Sequence, residues 1–291
     1  MADELREMWD FADLSATEER FRARLAEPIT DGGRAEVLTQ LARVEGLRGD
    51  FAVGHQMLAD AEALATPDSP GRVRVLLERG RLLRSSGAAP ESLPLFTAAF
   101  VLASHRGDEY LAVDAAHMAA LVDSTEEWTQ RGVELARKSA DPQVRGWVGA
   151  LMNNLGWAHF EAGRFEEALA AFQQGLLARE QSVGDPHQVE IARYAVAKTL
   201  RHLGRPAEAA ELMGRAVAWT RESGVPDGWF HEELAEDYAA MGRMPEAADQ
   251  AALALSLLDA NQAPDRVSRL RALAAFRPTT DQPNAPVVRD S

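Results

Sequence analysis

Five glycines recur at a nearly constant interval along the chain. Gly49, Gly87, Gly163, Gly204 and Gly242 are separated in turn by 38, 76, 41 and 38 residues, so that the second interval is twice the first. An alanine-rich segment follows each of them. Glycine takes up the positive φ that ends many helices, and a fixed period of this length is typical of repeat proteins. The spacing therefore predicts an array of helical hairpins with a glycine in each turn.

One turn of the series lacks its glycine, near Thr125. There Ser124–Glu127, with the sequence STEE, has the pattern of a capping box, which begins a helix without a glycine turn. With this turn included, the sequence predicts six antiparallel hairpins, over residues 35–62, 72–104, 110–138, 148–180, 189–222 and 228–260.

These patterns divide the chain into four predicted parts. Residues 1–34 form the N-terminal part of the chain and include a capping helix. This helix begins at the capping-box pattern of Ser15–Glu18 and is followed by a loop at Thr30–Gly33. Residues 35–262 hold the six hairpins, and residues 263–276 form a C-terminal capping helix that covers the last apolar face. Residues 277–291 are polar and proline-containing, which predicts a disordered tail.

The hairpin at Leu151–Glu180 is the most fully spelled out, and it resembles the tetratricopeptide repeat. The matching positions are Leu155, Gly156, Gly163, Phe165, Ala168, Phe172 and Leu176. The run from Asn153 to Ile191 looks more like the longer repeats of the kinesin light chain variety. This resemblance implies an all-α, right-handed α-solenoid with degenerate repeats of 38–41 residues, in which the first helix of each hairpin lines the concave side.

The composition argues against several kinds of partner and site. The chain has no Cys, which excludes disulfides, thiolate catalysis and cysteine zinc sites. Its net charge of −14 argues against general binding of nucleic acid. No apolar run approaches the roughly 20 residues of a membrane span, and the acidic N-terminus is unlike a signal peptide. Arg greatly outnumbers Lys, as a GC-rich bacterial genome would favour. We therefore expect a cytoplasmic bacterial protein.

The motifs of catalysis are also missing. His231-Glu232-Glu233 begins like a zinc-protease motif, but Ala235 stands where its second His belongs. The sequence contains neither a phosphate-binding loop nor a nucleophile elbow. The prediction is a non-enzymatic protein without catalytic residues, metal or cofactor.

The concave row of first helices is the predicted binding site, since residues at helical spacing share one face. In the third hairpin this row is predicted to be featureless, with Ala112, Ala115, Ala119 and Val122. The other hairpins supply a basic and aromatic set: Arg43, Arg74, Arg81, Arg84, Asn153, Asn154, Trp157, Phe160, Tyr194, Lys198 and Arg201.

Arginine forks suit carboxylates, aromatic rings supply contact area, and the two Asn side chains would hold a peptide backbone. The row therefore predicts a groove for an acidic peptide or a C-terminal carboxylate. The alternative is structural: Trp157 and Phe160 would pack between hairpins, and the arginines would be solvated or paired with nearby Glu. Two other functions stay open, a regulatory sensor that acts through a separate effector and a self-assembling adaptor that forms homo-oligomers.

Overall fold

The structure, a computed structural model, describes residues 4–123, 125–182, 185–258 and 264–276. All regular elements in these ranges are helices, so the predicted all-α fold class is confirmed. The described residues fall into two compact units, within Met1–Ala158 plus Gln181–Val183 and within His159–Glu180 plus Gly184–Ser291.

The helices of the first unit begin with two that precede the repeats, followed by three helix pairs. They are α1 Glu4–Glu7, α2 Leu14–Ala26, α3 Asp31–Arg48, α4 Phe51–Leu64, α5 Pro70–Ser85, α6 Ala89–Arg106, α7 Glu109–Ala120 and α8 Glu127–Lys138. The next helix, α9 at Pro142–Glu161, contributes residues to both units.

The second unit contains a first helix, two further pairs and a last helix. Its elements are α10 Phe165–Glu180, α11 Pro186–His202, α12 Pro206–Ser223, α13 Gly228–Ala240, α14 Met244–Leu257 and α15 Pro264–Ala274. Leu270 of α15 is buried against Ala235, Ala251 and Ala254 of the preceding pair. The division into residues 1–34, 35–262 and 263–276 stays a prediction, and the predicted tail, 277–291, lies outside the described residues.

The glycine turns are confirmed. All five predicted glycines have positive φ, between 73° and 96°. In the turn after α3, for example, the N–H of Gly49 and that of Asp50 donate to the carbonyls of Gly46 and Glu45, which closes the helix end. Pro206 and Pro245 lie in the first turn of the helices that follow two of these turns, where a missing N–H has little cost.

Two local predictions were wrong, because a different side chain caps the helix. Thr30–Gly33 is the start of α3 and not a loop, since the Thr30 hydroxyl accepts from the N–H of Gly33 at 3.1 Å. Asp13, and not Ser15, caps α2 by accepting from the N–H of Ala16. The helix after the third turn begins at Glu127, and Ser124, on which the predicted capping box depends, lies outside the described residues.

Small residues let neighbouring helices approach closely within each unit. Gly80 of α5 faces the fully buried ring of Phe96 in α6, and a Cβ added there would lie 2.5 Å from a ring carbon. The core around this contact is built of alanine and leucine with few large rings. Such a core tolerates little added volume.

Gly80→Ala should therefore destabilise the fold by about 1–3 kcal/mol through overpacking against Phe96. The matched control is Gly214→Ala, at a helical glycine of α12 with no atom within 4 Å of the new Cβ. This control should stabilise by about 0.5–1 kcal/mol, because alanine favours the helix. Urea unfolding followed by circular dichroism measures both, and equal effects would contradict the close approach.

Candidate functional site

A cavity of about 220 Å³ lies within the first unit, on the side of its first helices. We call it the arginine–aromatic cavity. Its walls combine four aromatic rings with arginines and two acids from α1, α3, α5, α7, α9 and the segment after α1. The lining residues are Arg6, Trp9, Phe11, Gln40, Arg43, Arg74, Leu77, Glu78, Tyr110, Leu111, Asp114 and Trp147.

Helical spacing places these side chains on one side of each helix. Gln40 and Arg43 are three residues apart in α3, while Glu78 in α5 and Asp114 in α7 each lie four residues after another lining residue. Residues three or four apart share a helix face. Because α3 packs on α5 and α7 also contacts α5, their faces meet around one space.

Arg81 lies beside the cavity and is committed to ion pairs. Its two terminal nitrogens lie 2.5 Å from Glu78 of its own helix and 2.5 Å from Asp114 of α7. Burial by itself would raise the pKa of Asp114, but the positive charges of Arg81 and Arg43 and the hydrogen bond from Arg81 outweigh it and lower that pKa. Arg81 thus neutralises two acids and joins α5 to α7.

Arg74 and Arg84, the other two predicted arginines of α5, differ in their surroundings. Arg74 is buried, and its Nε lies 3.1 Å from a carboxylate oxygen of Glu36 in α3. Burial lowers the pKa of Arg74. Arg84 is exposed in the last turn of α5 and does not line the cavity.

Arg43 lines the cavity without a direct anionic partner among the described residues. No ion pair or hydrogen bond joins it to another described residue. Its guanidinium carbon lies 5.1 Å from the ring centre of Trp9 and 5.4 Å from that of Phe11. Burial lowers the pKa of Arg43 and the positive charge of Arg81 lowers it further, against the opposing negative charges of Glu78 and Asp114. An anion that enters the cavity would meet a guanidinium that has no direct anionic partner among the described residues.

Three predicted site residues of α9 belong to the first unit but do not line this cavity. Asn153, Asn154 and Trp157 are partly buried, and the amide nitrogen of Asn154 lies 3.4 Å from Nδ1 of His117. Burial lowers the pKa of His117. The α9 residue that lines the cavity is Trp147, whose ring lies 5.6 Å from that of Tyr110.

The remaining predicted residues lie in the second unit. Phe160 packs against Phe165 and His202, with ring centres 5.2 Å and 4.7 Å away. Lys198 donates to the hydroxyl of Tyr194 at 3.1 Å.

The basic face of α11 in this unit meets acids of α13. Arg201 lies 2.6 Å from Glu233 and 3.5 Å from Asp237, and Lys198 lies 3.8 Å from Glu233. The predicted basic row is thus neutralised here.

The predicted row of the third hairpin was wrong. Ala112, Ala115 and Ala119 are completely buried in the core, and α7 instead turns Tyr110 and Asp114 toward the cavity. Sequence reasoning also missed Trp9 and Phe11 as cavity residues, although an aromatic pair in an otherwise polar N-terminus was the available signal.

Two kinds of site are absent from the part of the chain that the structure describes. No group of three or more His, Asp or Glu side chains is arranged to hold a metal ion. None of the helices in these ranges has the length and apolar character to cross a membrane.

Comparison with known proteins assigns the repeat. Residues 147–222 match the family model of the tetratricopeptide repeat. Residues 147–222 carry tetratricopeptide repeats. Among proteins of curated function none matches the sequence. This repeat fold is one that supports protein–protein interaction.

Solved structures are similar in fold to most of this chain, among them the following two. A tetratricopeptide repeat protein from Parabacteroides merdae superposes with a TM-score of 0.51 at 15% identity, over 93% of this chain and 95% of that one. The crystal structure of the APC/C hetero-tetramer Cut9–Hcn1 gives a TM-score of 0.54 at 14% identity, over 88% of this chain. This chain spans 48% of the length of the latter.

The acidic side of α13 generates a pH prediction. Asp237 is completely buried, and burial together with the negative charge of Glu233 raises its pKa to about 8, against the opposing charge of Arg201. In the unfolded chain its pKa is near 3.8. The folded state therefore holds the proton more tightly, and the stability from this group is complete below about pH 4 and is lost as the pH rises through about 8.

Asp237→Asn should remove this dependence. We expect the variant to be more stable than the wild type at pH 9, with the difference shrinking toward pH 4, in urea unfolding followed by circular dichroism. Glu211→Gln, at an exposed carboxylate of α12, is the matched control and should leave the pH profile unchanged. A difference between Asp237→Asn and wild type that is the same at both pH values would contradict the raised pKa.

Proposed function

We propose that this protein is a non-enzymatic scaffold that binds a peptide partner through the arginine–aromatic cavity. The observation that supports the proposal is Arg43, a partly buried guanidinium with no ion pair or hydrogen bond to a described residue, in a cavity walled by aromatic rings. A partly buried guanidinium without a direct anionic partner favours a carboxylate, since hydrogen bonds to a charged group are the strong ones.

The proposed ligand is a peptide that inserts one acidic side chain or its C-terminal carboxylate. A cavity of about 220 Å³ holds a single such group with its neighbouring atoms, and not a folded domain. The rings of Tyr110 and Trp147 offer rigid contact area for apolar atoms of the same peptide. Arg74, which also lines the cavity, is paired with Glu36, so the proposed contact with the ligand depends on Arg43.

This proposal assigns fewer residues to ligand binding than the predicted groove contains. Arg81 and Arg201 hold helices together through their ion pairs, so we assign them a structural part and not direct contact with the ligand. Their charge reversal would damage the fold, because removing one partner of a buried pair leaves the other charge uncompensated. A binding experiment should therefore change Arg43.

The test uses a labelled synthetic heptapeptide of Asp, Glu and one Phe with a free C-terminal carboxylate. Its affinity is measured by fluorescence polarisation beside a counterpart in which Lys replaces each acid. We expect Arg43→Gln to weaken binding of the acidic peptide by about tenfold or more, the loss of a charge-assisted hydrogen bond. Binding should also fall with added salt.

The matched control is Arg131→Gln. Arg131 is exposed on α8, stacks over Trp128 and pairs with Glu127, so it offers the same side chain outside the cavity. Its replacement should leave the affinity unchanged. Equal binding of the acidic and basic peptides, or equal loss in both variants with unchanged circular dichroism, would rule the proposal out.

A further inference from the structure

The residues before α2 lie across the first helices of two hairpins. We call Glu4–Asp13 the N-terminal segment. The indole nitrogen of Trp9 donates to the side-chain oxygen of Gln40 in α3 at 2.9 Å. The guanidinium of Arg6 lies 3.9 Å from the ring centre of Tyr110 in α7. Because α3 and α7 both line the arginine–aromatic cavity, the N-terminal segment bridges its mouth.

The N-terminal segment covers the guanidinium of Arg43. Trp9 and Phe11 stack on one another, with ring centres 4.8 Å apart and planes at 12°, and both rings lie within 5.4 Å of that guanidinium. Phe11 nevertheless remains 62% exposed. An exposed large ring held over a charged group is poorly explained as core packing, since its apolar surface stays in water.

The two ends of the N-terminal segment are held differently. Asp10 exchanges hydrogen bonds with Thr17 of α2, at 2.8 Å from its N–H and 2.9 Å to its carbonyl. Residues 5–9 are held by Leu5, Met8 and Trp9, which pack against Phe21, Val37 and Leu41. The part over the cavity is therefore attached chiefly by side chains, on a tether fixed at Asp10.

The chemistry of the N-terminal segment is that of the ligand proposed above. Its sequence, ELREMWDFAD, holds four acids against one arginine, with two aromatic rings. It thus has the acidic and aromatic character that we propose for the ligand. A peptide that contacts the guanidinium of Arg43 from the side of the two rings must take the place of Trp9 and Phe11.

We propose that the N-terminal segment is an intramolecular occupant of the arginine–aromatic cavity, which a partner peptide of acidic and aromatic residues displaces on binding. This inference rests on the proposed peptide-binding function and adds its regulation. The tether keeps the segment at a high local concentration. The larger the fraction of molecules in which the segment occupies the cavity, the weaker the apparent affinity for the partner.

The experiment asks whether the N-terminal segment binds in trans when the tethered copy is weakened. The probe is a labelled synthetic peptide with the sequence of Glu4–Asp13, and the proteins are the full-length wild type and the Arg6→Ala/Trp9→Ala double variant. We expect the double variant to bind the probe at least about tenfold more tightly than the wild type, because its own segment no longer competes. Adding Arg43→Gln to the double variant should abolish the gain.

Two further variants keep the outcome decisive. Phe11→Ser changes an exposed ring, so it should keep the fold and give a smaller gain in probe affinity. Trp229→Ala removes a partly exposed indole that stacks on Arg266 in the second unit and should give no gain. Circular dichroism of each protein reports that the helices remain.

The results separate this inference from the proposed function. Equal probe affinity for wild type, double variant and Phe11→Ser overturns the occupant, even if the acidic heptapeptide binds through Arg43. Weaker probe binding to the double variant also overturns it, because the segment would then complete the cavity. A gain that depends on Arg43 supports the occupant, even if the acidic heptapeptide fails to bind.

Discussion

Within each unit, ion pairs join charged side chains of helices in neighbouring repeats. In the first unit Arg74 pairs with Glu36, 38 residues earlier, and Arg81 with Asp114, 33 residues later. In the second unit Arg201 pairs with Glu233 at a separation of 32, and Arg269 with Glu236 at 33. A hairpin cannot bury its apolar face alone, so consecutive hairpins stack. Stacking places equivalent positions of neighbouring first helices side by side, where their charges must match.

Arg43 has no ion-pair partner in the neighbouring repeat, and it lines the arginine–aromatic cavity. The residue one interval of 38 later is Arg81, a like charge that is already shared between Glu78 and Asp114. No hairpin precedes α3 among the described residues, so the preceding side of Arg43 is covered by the N-terminal segment. That segment supplies aromatic rings and not a carboxylate. The guanidinium consequently has no direct anionic partner among the described residues, and we propose that an external anion supplies one.

The same arrangement links stability to recognition. Buried ion pairs contribute little net stability compared with apolar contacts, but breaking one leaves a costly buried charge. Arg81 and Arg201 are therefore fixed by their partners, whereas Arg43, which has only cation–π contacts, can exchange rings for a ligand. In our proposal the ligand displaces the N-terminal segment, whose residues line the cavity and whose Trp9 is bonded to Gln40.

The sequence by itself determined the all-α repeat. Helical periodicity and a local glycine conformation are properties of short segments, so Gly49, Gly87, Gly163, Gly204 and Gly242 could be placed in their turns without the structure. Of the eleven residues of the predicted groove, Arg43 and Arg74 line the cavity. Only the tertiary structure decided which charges are neutralised, because each partner lies a whole repeat away. It also decided which face of α7 is buried, because the turn after α7 lacks the glycine that marks the other turns. The position of Trp9 likewise needed the structure, because its short segment belongs to no repeat that would set its register.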